Sequence, residues 1–161
     1  MTNCKQIPLP KLGKDDLQKI ISFFSMGNHL FNERYGHHAW KSFDIITEGT
    51  ASPMIRHFPG IIRWLTTCTK HTAIRSIDHL YLSILMPRNQ IPWHIDMQHN
   101  NIYANSIITS IEFENDKQYH YREGYSYLIK SGVKHRIINL SDEYRVTLCL
   151  TPKENPYAEM V

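Results

Sequence analysis

Two residues in the run Pro92-Trp93-His94-Ile95-Asp96 are of types that hold metals. His94 and Asp96 are two apart, and residues two apart on a strand share a face. One offers an imidazole nitrogen and the other a carboxylate oxygen. A second histidine from elsewhere would complete a two-histidine, one-carboxylate facial triad. Such a triad leaves three positions on a first-row metal open to substrate, cosubstrate or O₂. We take His135, in Gly132-Val133-Lys134-His135-Arg136-Ile137-Ile138, as that histidine. Ten residues later Arg145 interrupts the apolar run Tyr144-Arg145-Val146-Thr147-Leu148-Cys149-Leu150. An arginine in a buried strand requires an anion, and a bound dicarboxylate would supply it.

The same residues allow plainer chemistry. His94 and Asp96 could hydrogen-bond to each other in a turn after Pro92. The metal could be zinc, which histidine and carboxylate also suit. Arg145 could form an ion pair with Glu112, Glu123 or Asp142.

Strands must position these groups, and the second half of the chain supplies them. From residue 73, short apolar runs alternate with turn residues. Ile74 to Met86 is extended up to Pro87, and a loop at Arg88-Asn89-Gln90 leads into Trp93-His94-Ile95. Further runs cover Ser106–Phe113, Gln118–Tyr121, Tyr125–Ile129, Lys134–Asn139 and Tyr144–Leu150. Six to eight short strands at regular spacing predict a sandwich or barrel, and a double-sheet jelly roll fits best. The last run shows little polar alternation, as a strand buried on both faces does.

Two helices are predicted before residue 73. The first starts at Lys14 or Asp15 and stops at Gly27-Asn28, with Leu17, Ile20, Ile21 and Phe24 forming its apolar stripe. The second runs from about Gly60 to Thr69, with Ile61, Ile62, Trp64, Leu65 and Cys68 as its apolar set. Residues 1–13 read as a lead-in and 29–41 lack a clear period, while Ser42 to Ile46 reads as a short strand ended by Glu48-Gly49. The expected fold is mainly β with N-terminal helices. A double-stranded β-helix (jelly-roll, cupin-like) core over about 73–151 is backed by a helical part over about 1–72, within one domain spanning 1–161. Trp93 reads as core and His99 as an exposed loop histidine. Tyr119, Tyr121, Tyr125 and Tyr127 read as cross-strand packing between two neighbouring strands.

Composition narrows the function classes. With 161 residues and 42% apolar content the chain can build one core. No run approaches the roughly 18 apolar residues of a membrane span, and the N-terminus lacks the apolar region of a secretory signal. Three cysteines without a CxxC pair read as reduced thiols in a cytoplasmic compartment. The net charge of +3 is mild and its cations are scattered, so nucleic-acid binding is disfavoured. No G-x-S-x-G elbow points to a hydrolase.

Taken in order, Ser83-Ile84-Leu85-Met86-Pro87, Pro92-Trp93-His94-Ile95-Asp96, Glu123-Gly124, Ser131-Gly132-Val133-Lys134-His135 and Arg145 resemble the aspartyl/asparaginyl β-hydroxylase family. The resemblance covers residues 80–150, about half the chain. These are dioxygenases that use Fe(II), 2-oxoglutarate and O₂ on a double-stranded β-helix. The resemblance implies iron at His94 and His135, a distal 2-oxoglutarate carboxylate at Arg145, and a cosubstrate hydrogen bond from Ser83. It also implies hydroxylation of an amino-acid-type substrate, as a small molecule or within a polypeptide. The family's best-known member lacks the carboxylate ligand that Asp96 supplies here. Its cationic cosubstrate helper, nine residues after the first histidine, is Tyr103 in this chain, and its histidine at plus eleven is Asn105. Both are retained as pocket residues. The complete triad brings the chain closer to the bacterial free-amino-acid hydroxylases of the same superfamily. Two other classes stay open: a non-catalytic jelly-roll module binding a carboxylate ligand, and a metal-dependent cupin that does not use 2-oxoglutarate.

Overall fold

In the computed structural model, residues 3–96, 102–105, 109–115 and 119–157 are described, without the side chains of 103–105, 109 and 119–121. His99, the stretch 106–108 and Gln118 therefore lie outside the described residues.

The elements follow in chain order as β1 (Cys4–Ile7), α1 (Lys14–Gly27), β2 (Asn32–Arg34), β3 (His37–Thr47), β4 (Thr50–Ala51), α2 (Pro59–His71), β5 (Ile77–Leu85) and β6 (Gln90–His94). They continue as β7 (Ile102–Asn105), β8 (Thr109–Phe113), β9 (Tyr119–Tyr121), β10 (Ser126–Ile129), β11 (His135–Ile138) and β12 (Arg145–Pro152). The larger sheet runs β1-β10-β7-β12-β5-β3-β2, with β4 on β3, and the smaller runs β6-β11-β8-β9. This is the double-stranded β-helix that the strand spacing predicts.

Strand β12 divides the interior. All eight of its residues are buried. Side chains alternate across a strand, so Val146, Leu148 and Leu150 turn to one face. There they pack with Leu80, Leu82 and Ile84 of β5 against the helices. The helices contribute Leu17, Ile20 and Phe24 from α1 and Ile61, Trp64 and Cys68 from α2. Arg145, Thr147 and Cys149 turn to the other face, opposite Leu85, Ser83 and Tyr81 in register. That face looks across the barrel interior at the smaller sheet, whose Ile91, Ile111, Phe113 and Ile137 form a second apolar cluster with Leu85.

The helices match the predicted spans closely because their apolar spacing is regular. In α1 two acidic residues, Asp15 and Asp16, occupy the first turn, where the helix dipole favours negative charge. Pro59 opens α2, the position where its missing N–H costs nothing. Among the described residues no helix is long and apolar enough to cross a membrane, and none of the three cysteines forms a disulfide.

Several local expectations are corrected. Cys4–Ile7 is a strand paired with β10 rather than a lead-in. Residues 29–41 contain β2 and the first part of β3, which begins at His37 instead of Ser42. Tight turns organise this region. Tyr35-Gly36 (φ 51° and 74°) joins β2 to β3, and Glu48-Gly49 (φ 50° and 75°) joins β3 to β4. Two consecutive positive φ values mark the hairpin turn whose twist matches the flanking strands. Trp93 is 41% exposed rather than core, because it alternates with the inward His94. The Arg136 guanidinium covers its ring at 5.1 Å. The strands that carry Tyr119, Tyr121 and Tyr127 are not neighbours, since β9 and β10 belong to different sheets.

The two helices meet at Gly60. A Cβ built there would come 2.1 Å from the Asp16 carboxylate and 2.6 Å from its Cβ. Arg63 Nη2 holds that carboxylate in place at 2.9 Å. Helix propensity alone favours Gly60→Ala by up to about 1 kcal/mol, but overpacking costs about 1–3 kcal/mol. Chemical denaturation should show Gly60→Ala destabilised. Adding Asp16→Ala to it should remove most of that penalty.

Candidate metal centre

The metal-ligand geometry starts in the smaller sheet. His94 and His135 stand directly opposite each other in the β6–β11 pairing, so both rings enter the interior from one face. Their centroids are 4.3 Å apart. Asp96 lies just beyond the end of β6, where its backbone carbonyl accepts the Gly132 N–H at 3.2 Å. This bond ties the carboxylate to the turn that precedes β11. Asp96 Oδ1 is 3.7 Å from His94 Nε2, and Oδ2 is 3.6 Å from His135 Nε2. All three ligand atoms fall within 4.8 Å of one another. These separations are too long for hydrogen bonds and leave a gap between three donors that converge.

Backbone carbonyls fix the imidazole tautomers. His94 Nδ1 is 2.7 Å from the Pro92 carbonyl oxygen, and His135 Nδ1 is 2.9 Å from that of Val133. A carbonyl only accepts, so each Nδ1 carries the proton and each Nε2 presents a lone pair. A ligating histidine is commonly oriented by such a bond. His135 is 0% exposed, and its Nε2 has no hydrogen-bond partner. A buried polar atom left unsatisfied is costly, and a cation between His94, Asp96 and His135 would satisfy it. Burial is the main force holding the His135 pKa below its ordinary value of 6.5, aided by His94 and opposed by the Val133 bond and Asp96. The ring is therefore neutral near pH 7, the form that ligates. The donor set fits a divalent first-row metal.

A narrow cavity opens beside these ligands. Arg145 enters it from the larger sheet and is 1% exposed. Asn139 pins the approach to β12, donating through Nδ2 to the carbonyls of Met86 (3.1 Å) and Glu143 (2.8 Å). The carboxylates that competed for Arg145 in the sequence engage other cations. Glu112 accepts from Arg136 at 2.6 Å, Asp142 from Arg88 at 2.8 Å, and Glu123 lies 3.9 Å from Lys14. Ser83 also lines the cavity. Its Oγ accepts the Trp40 indole N–H at 2.9 Å, which leaves the hydroxyl hydrogen for an acceptor in the cavity.

Tyr103 and Asn105 are placed by backbone register alone, opposite Cys149 and Thr147 respectively; their side chains lie outside the described residues. Cavity residues that escape the sequence reading include Arg34, Tyr35, Trp40, Tyr81 and Cys149. Burial pushes the Cys149 thiol up to about 12. Burial also holds the Tyr81 hydroxyl well above the usual tyrosine range, with the Cys149 thiol adding to the effect. Both groups stay protonated at neutral pH. The alternation Trp40, Ser42 along β3 was the available signal for Trp40, but it is obscured by the polar residues beside it.

The sequence model described as aspartyl/asparaginyl beta-hydroxylase matches residues 14–154. Among curated proteins none matches significantly. A 2OG-Fe(II) oxygenase family oxidoreductase from Burkholderia pseudomallei superposes with a TM-score of 0.55 at 10% identity, covering 92% of this chain and 82% of that one. KdgF from Halomonas sp. gives 0.49 at 9% identity, covering 83% and 94%. A conserved Streptococcus pyogenes protein of unknown function gives 0.38 at 16% identity, covering 48% of this chain and 66% of that one.

The three-donor geometry makes Asp96→Ala informative. Loss of a supporting hydrogen bond typically lowers metal affinity about 10–100-fold, and loss of a direct ligand should cost at least as much. Competitive titration with Fe(II) or Zn(II) should show that loss. Unchanged affinity would place Asp96 outside the coordination sphere.

Proposed function

Because the chain belongs to the aspartyl/asparaginyl β-hydroxylase family, we propose that it is an Fe(II)- and 2-oxoglutarate-dependent dioxygenase hydroxylating an amino-acid-type substrate, free or within a polypeptide. One observation carries the reading. The unsatisfied Nε2 of His135, with His94 and Asp96, shares a barrel interior with a deeply buried arginine. Metal ligands alone would suit many cupins, and a buried guanidinium alone would suit a binding module. The two together suit a metal chelated by a 2-oxo acid whose far carboxylate needs a cation.

Iron bound here with 2-oxoglutarate supplies the oxygen-activating step, and the protein positions and shields that chemistry. His94, Asp96 and His135 would hold the metal and, as three protein ligands, would leave positions for the cosubstrate and O₂. Arg145 receives the distal carboxylate through its planar fork of N–H donors. Ser83, already accepting from Trp40, donates its own hydroxyl hydrogen to the same carboxylate. The ring of Trp40 lies 5.6 Å from that of His94 and lines the cavity with Ser83 and Arg145. Buried Leu85, Ile91 and Ile137 keep bulk water from the space between. A cytoplasmic location is in keeping with three cysteines that form no disulfide.

Anaerobic visible absorption tests the proposal. Fe(II) is added to apo protein, followed by 2-oxoglutarate, and a weak charge-transfer band should appear only with both. Iron binding without a band would favour a metal-dependent cupin. Neither iron nor band would leave a carboxylate-binding module. Arg145→Gln should leave iron affinity in place. Its 2-oxoglutarate affinity should fall by roughly 30-fold or more, since truncating one partner of a buried charge pair costs about 2–5 kcal/mol.

A further inference from the structure

The cavity holds a second guanidinium for which the dioxygenase reading gives no role. Arg34 closes strand β2 immediately before the Tyr35-Gly36 turn. That turn folds the guanidinium into a box of three aromatic rings. It lies 4.9 Å from the Tyr81 ring centroid and 5.7 Å from those of Tyr35 and Trp40. The residue lines the same cavity as His94, Asp96 and Arg145. Its Nε is buried with no hydrogen-bond partner, and no ion pair joins it to another described residue.

Stacking against aromatic faces occupies the guanidinium's own faces and leaves its N–H edges unused. Those edges are coplanar and paired, which is the pattern a carboxylate fits. A guanidinium serving only as a brace for the rings would leave its N–H groups in water. Here Nε is withdrawn from water, so its empty acceptor position is costly until something fills it.

Charge points the same way. Among the described lining residues Asp96 is the one carboxylate. A divalent metal, Asp96, Arg145 and doubly anionic 2-oxoglutarate neutralise one another, and Arg34 is the charge left over. Its position puts that charge near the metal. Tyr81 and Cys149 feel both the Arg34 cation and the Asp96 carboxylate. Arg34 and Arg145 come from different parts of the larger sheet, with β3 and β5 between their strands. They reach the one cavity from separate strands.

We propose that Arg34, held in the Tyr35–Trp40–Tyr81 box, is a specificity-determining residue that receives a carboxylate of the substrate to be hydroxylated and so selects acids over their amides. An amide would set its NH₂ donors against the guanidinium N–H groups and leave one side unpaired. Sites built on such pairing reject the mismatched analogue strongly. The proposal rests on the dioxygenase reading, which fixes what occupies Arg145.

Isothermal titration tests it without turnover. The protein is loaded with Zn(II) and saturated with N-oxalylglycine, an unreactive 2-oxoglutarate analogue. It is then titrated with aspartate, glutamate, asparagine and glutamine, each as the free amino acid and as the N-acetyl amide. Wild type should bind at least one acid about tenfold or more tighter than its amide. Arg34→Gln should bring that ratio close to one while leaving the N-oxalylglycine affinity and Tm in place, and Arg34→Lys should retain part of the preference. A brace acting only on the fold would lower Tm and N-oxalylglycine affinity together and leave the acid-to-amide ratio untouched. An unchanged ratio in Arg34→Gln overturns the proposal. So does a wild type that binds no acid of the panel or prefers the amides. Failure of N-oxalylglycine to bind the metal-loaded wild type is a separate result: it removes the dioxygenase reading, and this proposal with it.

Discussion

Strand β12 must satisfy two opposed environments over eight residues, and the rest of the molecule follows from how it does so. One face carries Val146, Leu148 and Leu150, which are stable only if helices cover them. The other carries Arg145, Thr147 and Cys149, which need a lined interior. Alternation with period two separates these demands from Arg145 to Leu150, and the register with β5 shifts only beyond that, between Thr151 and Pro152. The helices are thus structurally remote from the chemistry yet necessary for it. Their apolar face buries the outer side of β5 and β12, the strands whose other side presents Ser83 and Arg145.

The two sheets divide the chemical work. The smaller one contributes the imidazoles, aligned by direct pairing of His94 with His135 and turned by the carbonyls of Pro92 and Val133, each two residues upstream. The larger one contributes the cationic and hydroxylic groups. The three candidate metal ligands and the buried Arg145 therefore face each other across the interior rather than sharing a strand. A molecule with a chelating end and a charged far end can bridge that gap.

Much of this was legible in the sequence, for identifiable reasons. The helices announce themselves by a regular apolar stripe, and β12 by an unbroken apolar run. His94, Asp96, His135 and Arg145 stood out because polar residues of those types are out of place in such runs. What stayed hidden lies where local signals are weak. Strand β2 is the tripeptide Asn32-Glu33-Arg34, which has no hydrophobic period. Strand β3 begins in His37-His38, whose polar character masks the inward Trp40. Strand β1 is only four residues long and owes its pairing to β10, far away in sequence. Arg34 belongs to this group. Nothing around it in sequence marks it as interior, because the rings that enclose it come from a turn and from two different strands. The Tyr35-Gly36 pair was the one available sign, as a hairpin turn that would fold residue 34 back over β3.

The placement of these late-recognised residues has a physical logic of its own. Central strands are fixed by partners on both sides, so groups carried by β5 and β12 hold their positions closely. Edge elements open at lower free energy than the core of a sheet. Arg34 sits on the edge strand β2, next to a turn in which Tyr35 adopts a positive φ that non-glycine residues rarely take. A chelating cosubstrate common to every turnover is best met by rigid groups, since misplacement of the reacting atoms by even 1 Å is expensive. A variable substrate is better met by a group that can adjust. On the proposed reading, a central arginine on β12 would keep the cosubstrate chemistry constant, and an edge arginine carried by a three-residue strand and a two-residue turn would set substrate preference.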